Sequence, residues 1–150
     1  MPEIAFYGIL HTNIYKVLAV LLEKSLKVNK ACQVLADNLE ESEYVNKYLW
    51  SSVTWLPHCV VGAKEEPHTP IVIDYVGSNQ PLQKQQEYLF CINNTDYSNI
   101  TGFQKVFIVF NLQEPEVAKY NRQRWKNYSQ NNYVVNFYQQ NLKGAFEKQI

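Results

Sequence analysis

Residues 4–35 read IAFYGILHTNIYKVLAVLLEKSLKVNKACQVL, and this stretch decides the fold class. Its first part, Ile4–Leu10, is short, apolar and aromatic, which is typical of a buried strand. In Ile14–Lys27 the apolar residues recur at helical spacing. Ala31–Leu35 is a second short strand candidate. A strand, a helix and a strand in this order favour a parallel or mixed sheet flanked by helices.

Polar residues just ahead of the helical segments can supply their N-terminal caps. Thr12 or Asn13 can cap the first helix, and Asp37 or Asn38 begins a second, acidic helix that ends near Trp50. The chain therefore starts as strand, helix, strand and helix, which predicts a three-layer α/β fold with a parallel or mixed sheet between helices.

The second half of the chain is predicted to add three strands and one helix. Ile71–Val76 and Tyr88–Ile92 read as strands separated by a polar turn at Gly77–Gln85. Val106–Phe110 (VFIVF) is a strand because β-branched and aromatic residues dominate it. Glu114–Gln130 is a helix with an acid and a proline in its first turn, where both are favoured.

Two segments lack a regular pattern. Ser51–Pro70 contains three prolines and one glycine and is predicted to be a long surface connection. From Asn131 onward the sequence is polar and aromatic without a clear period, so no element is predicted there. The length of 150 residues suits one domain with one buried core, in which residues 131–150 form a tail.

The charge and the cysteine content of the chain limit the kinds of function that it can have. Lys plus Arg equals Asp plus Glu at 14 each, so the chain lacks the basic excess of proteins that hold nucleic acid by its phosphates. Cys32, Cys59 and Cys91 are far apart, which favours buried, reduced thiols over a zinc site or a disulfide framework. No apolar run reaches transmembrane length and no positive leader opens the chain, so a cytoplasmic protein without membrane contact is expected.

Catalysis is not indicated. The five glycines form neither G-x-G-x-x-G nor G-x-x-x-x-G-K-[ST], so the fold is expected to be a scaffold without cofactor or metal. His58 and Cys59 could pair a base with a nucleophile in a hydrolase. Adjacent residues rarely face each other, however, and no acid or oxyanion donor is nearby, so packing is the preferred interpretation.

A tryptophan-rich segment is a candidate binding site. Leu49-Trp50 and Trp55-Leu56-Pro57-His58 place two tryptophans, two leucines and a proline in or beside the predicted surface connection. Such residues either fold back onto the core or form the apolar anchor of a protein–protein contact. The pattern alone is compatible with both interpretations.

The last predicted helix carries the only two arginines of the chain, Arg122 and Arg124. At ~100° per residue, Lys119, Arg122, Trp125 and Lys126 fall within an arc of roughly 120°. A solvated helix face is the ordinary explanation of a basic arc. An aromatic residue among the cations also fits an acidic peptide that ends in an apolar residue and a free carboxylate.

The opposite side of this helix is predicted to face the core. Val117, Tyr120 and Tyr128 group there as an apolar stripe. Arg124 projects toward that stripe, where it either extends its charge back to the solvent or pairs with a carboxylate. Helical geometry therefore separates Arg124 from Arg122.

Taken together, these motifs resemble the chi subunit of bacterial DNA polymerase III, an accessory protein of the clamp-loader complex. The resemblance is carried by Phe6-Tyr7, Leu49-Trp50, the run Trp55–His58 and the run Arg122–Tyr128, in the same order and at similar spacing over nearly the whole chain. It implies a Rossmann-like fold without nucleotide and a non-catalytic subunit that bridges two partners during DNA replication, with DNA contacted only indirectly.

The first implied partner is the psi subunit, which links chi to the clamp loader. Trp50 matches a family tryptophan associated with psi and with a helicase partner. Trp55 matches an aromatic residue of the same surface, and Leu56 and Pro57 follow it. The resemblance therefore implies a psi-binding surface at these four residues.

The second implied partner is the acidic C-terminal tail of single-stranded DNA-binding protein, which usually ends in Pro-Phe. Arg122 matches the arginine that receives the carboxylate of this tail, and Trp125 stands in place of a tyrosine that lines the pocket. Trp125 and Val117 are expected to hold the final side chain. Lys119 and Lys126 are expected to attract the acidic residues upstream.

One position departs from the family pattern, because Ala118 stands where family members have a lysine. Lys119 is the nearest substitute, and Lys105 is a further candidate for attracting the acidic residues. The rival function is direct binding of single-stranded nucleic acid, which also uses Tyr, Trp, Arg and Lys on one face.

Overall fold

A computed structural model describes residues 1–52, 54–80, 86–97 and 99–149 of the chain. The strands within these residues are β1 (Glu3–Ile9), β2 (Cys32–Ala36), β3 (His58–Val60), β4 (Ile71–Tyr75), β5 (Tyr88–Ile92), β6 (Lys105–Asn111), β7 (Val135–Gln140) and β8 (Phe146–Lys148). The helices are α1 (Ile14–Lys27), α2 (Leu39–Trp50) and α3 (Pro115–Gln130), with a short 3-10 turn at Glu66–His68.

The strands form one sheet in the order β3-β4-β2-β5-β6-β1-β7-β8. Every pair is parallel except β7 with β8, which is antiparallel. The helices α1 and α2 pack on one face of the sheet, whereas α3 packs on the other. The predicted three-layer α/β fold with a mostly parallel sheet is therefore confirmed.

The predicted helices are confirmed, and the structure identifies the cap of each of the first two. The side chain of Asn13 accepts a hydrogen bond of 2.7 Å from the backbone N–H of Tyr15 at the start of α1. The side chain of Asn38 accepts one of 2.8 Å from the N–H of Glu41 in α2. Both bonds satisfy donors that the first turn of a helix leaves unpaired.

The strands β1, β2, β4, β5 and β6 also lie where the sequence predicted them, within one or two residues at each end. They are covered on both faces, and burial on both sides produces continuous apolar runs that are easy to recognise. Of the turn predicted between the third and fourth of them, residues 81–85 lie outside the described residues.

The prediction of a long surface connection at Ser51–Pro70 was wrong. This segment contains β3, which pairs in parallel with β4 at one edge of the sheet, and the short 3-10 turn. Leu56, His58 and Cys59 are buried. A strand of three residues is too short to display a period, and Pro57 just before it resembles a loop signal.

The prediction of a tail without regular structure after Asn131 was also wrong. β7 pairs with β1 along five residues, and β8 folds back on β7 as a hairpin. Most side chains of β7 are half-buried, so its sequence does not have the apolar run of a covered strand. The buried amide of Gln140 anchors this hairpin, since its Oε1 accepts hydrogen bonds from the backbone N–H groups of Leu10 (3.1 Å) and His11 (2.8 Å).

The three cysteines are buried and reduced, as predicted. Burial raises the pKa of the Cys91 thiol to about 11 and that of Cys32 to about 12. No helix in the described residues is long and apolar enough to cross a membrane.

Candidate functional site

The first candidate site lies on α3, which packs against β6 and β7. Val117, Ala118, Asn121 and Arg124 are buried on the side of the helix that faces the sheet. Their spacing of three to four residues is that of one helix face. Tyr120, predicted for the same stripe, is only half-buried and lies at its border.

Arg124 is a structural residue of this face. Its side chain is 6% exposed, and its guanidinium lies 3.5 Å from the carboxylate of Asp96. It also donates hydrogen bonds to Asn121 Oδ1 (3.2 Å) and to the carbonyl of Asn93 (3.5 Å), and it stacks over the Tyr120 ring at 5.4 Å. Of the two alternatives predicted for this arginine, the structure shows the pairing with a carboxylate.

Lys119, Arg122 and Lys126 lie on the opposite, exposed side of α3. None of them forms an ion pair with a carboxylate in the described part of the chain. Trp125 is half-buried beside them and packs on the apolar cluster beneath the helix. We call these four residues the α3 surface; it presents three unpaired positive charges around one aromatic side chain.

The structure corrects two further residues expected near this surface. Val117 is buried in the core together with Phe6 and Phe110, so its side chain is not available to a ligand. Lys105 lies at the start of β6 over the ring of Phe107, which packs on the face covered by α1 and α2. Lys105 therefore belongs to the other side of the sheet from α3.

The absence of a lysine at position 118 has a structural reason in this chain. Ala118 is buried where α3 packs against the sheet. A lysine there would have to bury part of its stem and carry its charge out around the helix. Lys119, one residue later, is exposed and presents a cation without that cost.

The second candidate site is formed by the end of α2 and the loop that leads to β3. Trp50 is 53% exposed and Trp55 is 71% exposed, so both tryptophans project from the surface. Their ring centroids lie 5.7 Å apart. Together with Pro57 they line a shallow cavity of about 520 Å³. We call these three residues the tryptophan surface.

Leu56, expected in the same site, is only 2% exposed and belongs to the core between α2 and the sheet. His58 supports the site from beneath. Its ring lies 4.2 Å from that of Trp50, with Nδ1 2.6 Å from the carbonyl oxygen of Leu56 and Nε2 3.0 Å from that of Asn46. The Nε2 contact with Asn46 joins α2 to β3, and the His58 ring packs against the indole of Trp50 at an interplanar angle of 42°.

The same geometry argues against a nucleophile–base pair at His58 and Cys59. Successive side chains of a strand point to opposite faces, and both ring nitrogens of His58 already lie against backbone carbonyls. No group of three or more His, Cys, Asp or Glu side chains within the described ranges is placed to hold a metal ion.

Sequence reasoning missed a third feature, a cleft of about 670 Å³ between α1 and the β7–β8 hairpin. Tyr7, Tyr138 and Phe146 are among the residues that line it. Two of these three belong to the strands that were not predicted, and the sequence of Val135–Gln140 (VNFYQQ) has no regular alternation that could have indicated the cleft.

Comparison with known protein families gives one match. The model of the family described as "DNA polymerase III chi subunit, HolC" matches residues 1–136. This range includes both the α3 surface and the tryptophan surface, and it ends inside β7. A search among curated proteins gave no match.

Proposed function

Because the chain belongs to the family of DNA polymerase III chi subunits, we propose that it is a non-catalytic bridge within the replication machinery. Membership of this family assigns it an accessory role in DNA replication. In the proposed role, the tryptophan surface binds the psi subunit of the clamp loader. The α3 surface binds the acidic C-terminal tail of single-stranded DNA-binding protein, and the complex works in the cytoplasm at the replisome.

The observation that carries the tail-binding proposal is the set of unpaired cations around Trp125. Arg122 is exposed and has a planar guanidinium that can bind a terminal carboxylate with two parallel hydrogen bonds. Trp125 offers an apolar ring beside it for the final side chain of the tail. Lys119 and Lys126 attract the acidic residues upstream, and because they are exposed, the affinity should fall with rising salt.

Calorimetry with a synthetic acidic peptide that ends in Pro-Phe and a free carboxylate tests this proposal. Loss of a charge-assisted hydrogen bond costs about 1.5–3 kcal/mol, so Arg122→Ala should weaken binding by roughly 10- to 150-fold. Gln123→Ala is the matched control, because Gln123 is the exposed residue that follows Arg122 in α3 and lacks a charge. A folded Arg122→Ala protein that binds the peptide as tightly as the wild type would refute the assignment.

A second calorimetric experiment separates this proposal from direct binding of single-stranded nucleic acid. An oligo-dT strand replaces the peptide. In the proposed role the chain binds it weakly or not at all at physiological salt, since the formal net charge is zero. Tight oligonucleotide binding that Arg122→Ala weakens would favour the rival function.

The proposed psi-binding site rests on the exposure of two adjacent indoles. Tryptophans that project from a surface and touch each other are frequent hot spots of protein interfaces. A helicase partner, which the family resemblance associates with Trp50, would share this site. Competition between psi and the helicase is then expected.

Pull-down of co-expressed psi subunit tests this site. Trp50→Ala and Trp55→Ala should each weaken capture by about 2 kcal/mol or more, which is roughly 30-fold. Leu142→Ala is the control, since Leu142 is 88% exposed and lies in the turn of the β7–β8 hairpin. Equal capture of psi by the folded double tryptophan variant and by the wild type would exclude this surface.

A further inference from the structure

The cleft between α1 and the β7–β8 hairpin lies on the opposite face of the sheet from α3. It exists because α1 packs over β6, whereas β7 and β8 extend the sheet beyond the strands that α1 covers. The cleft has a volume of about 670 Å³, which is in the range of ligand-binding sites. We call it the α1–β8 cleft.

Aromatic side chains form the floor of this cleft. Tyr7 stacks on Tyr138 at 4.9 Å and on Phe107 at 6.3 Å, with interplanar angles of 20° and 24°. Phe146 meets Tyr7 edge to face at 5.2 Å. Because β6 and β7 flank β1, these two neighbours cover both faces of the Tyr7 ring. A floor of this kind can receive an apolar side chain but leaves Tyr7 no free face on which a nucleic-acid base could stack.

The rim of the cleft is positively charged. Lys16 and Lys24 line it from α1, and Lys143 lines it from the hairpin turn. All three are exposed, and none forms an ion pair with a carboxylate of the described residues. No acidic side chain is among the described residues that line the cleft. The cleft is thus complementary to a negatively charged ligand.

The spacing along α1 limits the shape of that ligand. Lys16 and Lys24 are eight residues apart, which is about 12 Å along a helix. Val20, which is 44% exposed, lies midway between them on the same side. In an extended peptide, residues i and i+4 are about 13 Å apart and point to the same side, with residue i+2 between them.

We propose that the α1–β8 cleft binds an acidic peptide segment of a partner protein, in which an apolar residue lies between two carboxylates at positions i and i+4. The carboxylates pair with Lys16 and Lys24, and the apolar side chain packs against Val20 and the aromatic floor. This interaction goes beyond the proposed bridging role, since it uses the other face of the sheet and does not require a terminal carboxylate.

Fluorescence anisotropy with a labelled, N-acetylated and C-amidated peptide of sequence Ser-Glu-Ser-Phe-Ser-Glu-Ser tests the proposal. The C-terminal amide removes the terminal carboxylate that the α3 surface would recognise. The expected dissociation constant lies below about 1 mM. The double variant Lys16→Glu, Lys24→Glu should weaken binding by at least about ten-fold, because it replaces two attractions by repulsions.

Two control variants and one altered peptide accompany this double variant. The double variant Lys47→Glu, Lys64→Glu alters the net charge equally away from the cleft and should leave binding unchanged. Arg122→Ala should also leave it unchanged. Replacing the central Phe of the peptide by Ser should weaken binding, because the floor is apolar.

Several results would overturn the proposal. One is the absence of binding up to millimolar concentration, and another is loss of binding in Arg122→Ala, which would place the peptide on α3. Binding of oligo-dT, but not of the peptide, that requires Lys16 and Lys24 would assign the cleft to nucleic acid. A concentration-dependent increase in mass by light scattering that the Lys16→Glu, Lys24→Glu variant abolishes would assign it to a second copy of the chain.

Discussion

Arg122 and Arg124 are two residues apart on α3, yet replacement by alanine should destabilise the fold at Arg124 and leave its stability almost unchanged at Arg122. Arg124 is 6% exposed and donates hydrogen bonds of 3.2 and 3.5 Å to Asn121 and Asn93. Bonds of this length are weaker than ideal ones, so each contributes about 1 kcal/mol. The pair with Asp96 adds at most about 1 kcal/mol, because that carboxylate is 53% exposed.

Loss of the packed side chain adds to these terms, so Arg124→Ala should lower the free energy of unfolding by about 2–4 kcal/mol. Arg122 is exposed and has no ion pair with the described carboxylates, so Arg122→Ala should change this free energy by less than about 0.5 kcal/mol. Asp96→Asn should lower the free energy of unfolding by at most about 1 kcal/mol.

Urea unfolding followed by far-ultraviolet circular dichroism measures these differences. With a slope near 2 kcal/mol per molar urea, Arg124→Ala should lower the midpoint by about 1–2 M, whereas Arg122→Ala should leave it in place. The reasoning is refuted if Arg122→Ala destabilises the fold as much as Arg124→Ala does. It is equally refuted if Arg124→Ala shifts the midpoint by less than about 0.3 M.

Three further predictions concern the core and the sheet edge. The Cys32 and Cys91 thiols, whose pKa values burial raises to about 12 and about 11, should react with a thiol reagent at pH 8 only after unfolding in urea, and peptide mapping checks this. Burial, with help from Tyr138 and Glu3, raises the pKa of Tyr7 to about 12. This pKa lies above the value near 10 of an unfolded tyrosine, so the contribution of neutral Tyr7 to stability is complete below pH 10 and declines as the pH rises toward 12. Tyr7→Phe should therefore reduce the loss of stability that urea unfolding measures between pH 9 and 11.5. Truncation after Gln130 removes β7 and β8 and leaves one side of β1 unpaired. The shortened chain should therefore aggregate in gel filtration or lose its cooperative transition in thermal melts. A monomer that melts like the full chain would contradict this.

The covered strands and the helices could be predicted because their signals are local. Strands buried on both faces, such as Val106–Phe110, have continuous apolar runs, and residues such as Asn13 and Asn38 mark helix starts. The separation of Arg122 from Arg124 is also local, since helical geometry alone puts them about 200° apart.

The remaining features depend on contacts that no local pattern records. Leu56 lies in an irregular segment, and only the pairing of β3 with β4 decides that it is buried between α2 and the sheet. Strand alternation places Lys105 and Phe107 on the same face of β6. The sequence does not show that α3 covers the other face, because the path of the whole chain decides this. β7 is recognisable as a strand only through its pairing with β1, because most of its side chains are half-buried.

The order of the strands bears directly on the proposed bridging role. The tryptophan surface borders β3 at one edge of the sheet, whereas α3 packs over β6 and β7. β3 is separated from β6 by four strand spacings and from β7 by six, which corresponds to about 19 and 29 Å at about 4.8 Å per strand. Mutations this far apart with no shared partners usually have additive effects, so the two surfaces are expected to act independently. A short acidic tail on α3 and a psi subunit on the tryptophan surface can therefore occupy the same molecule at once, which is what a bridge between them requires.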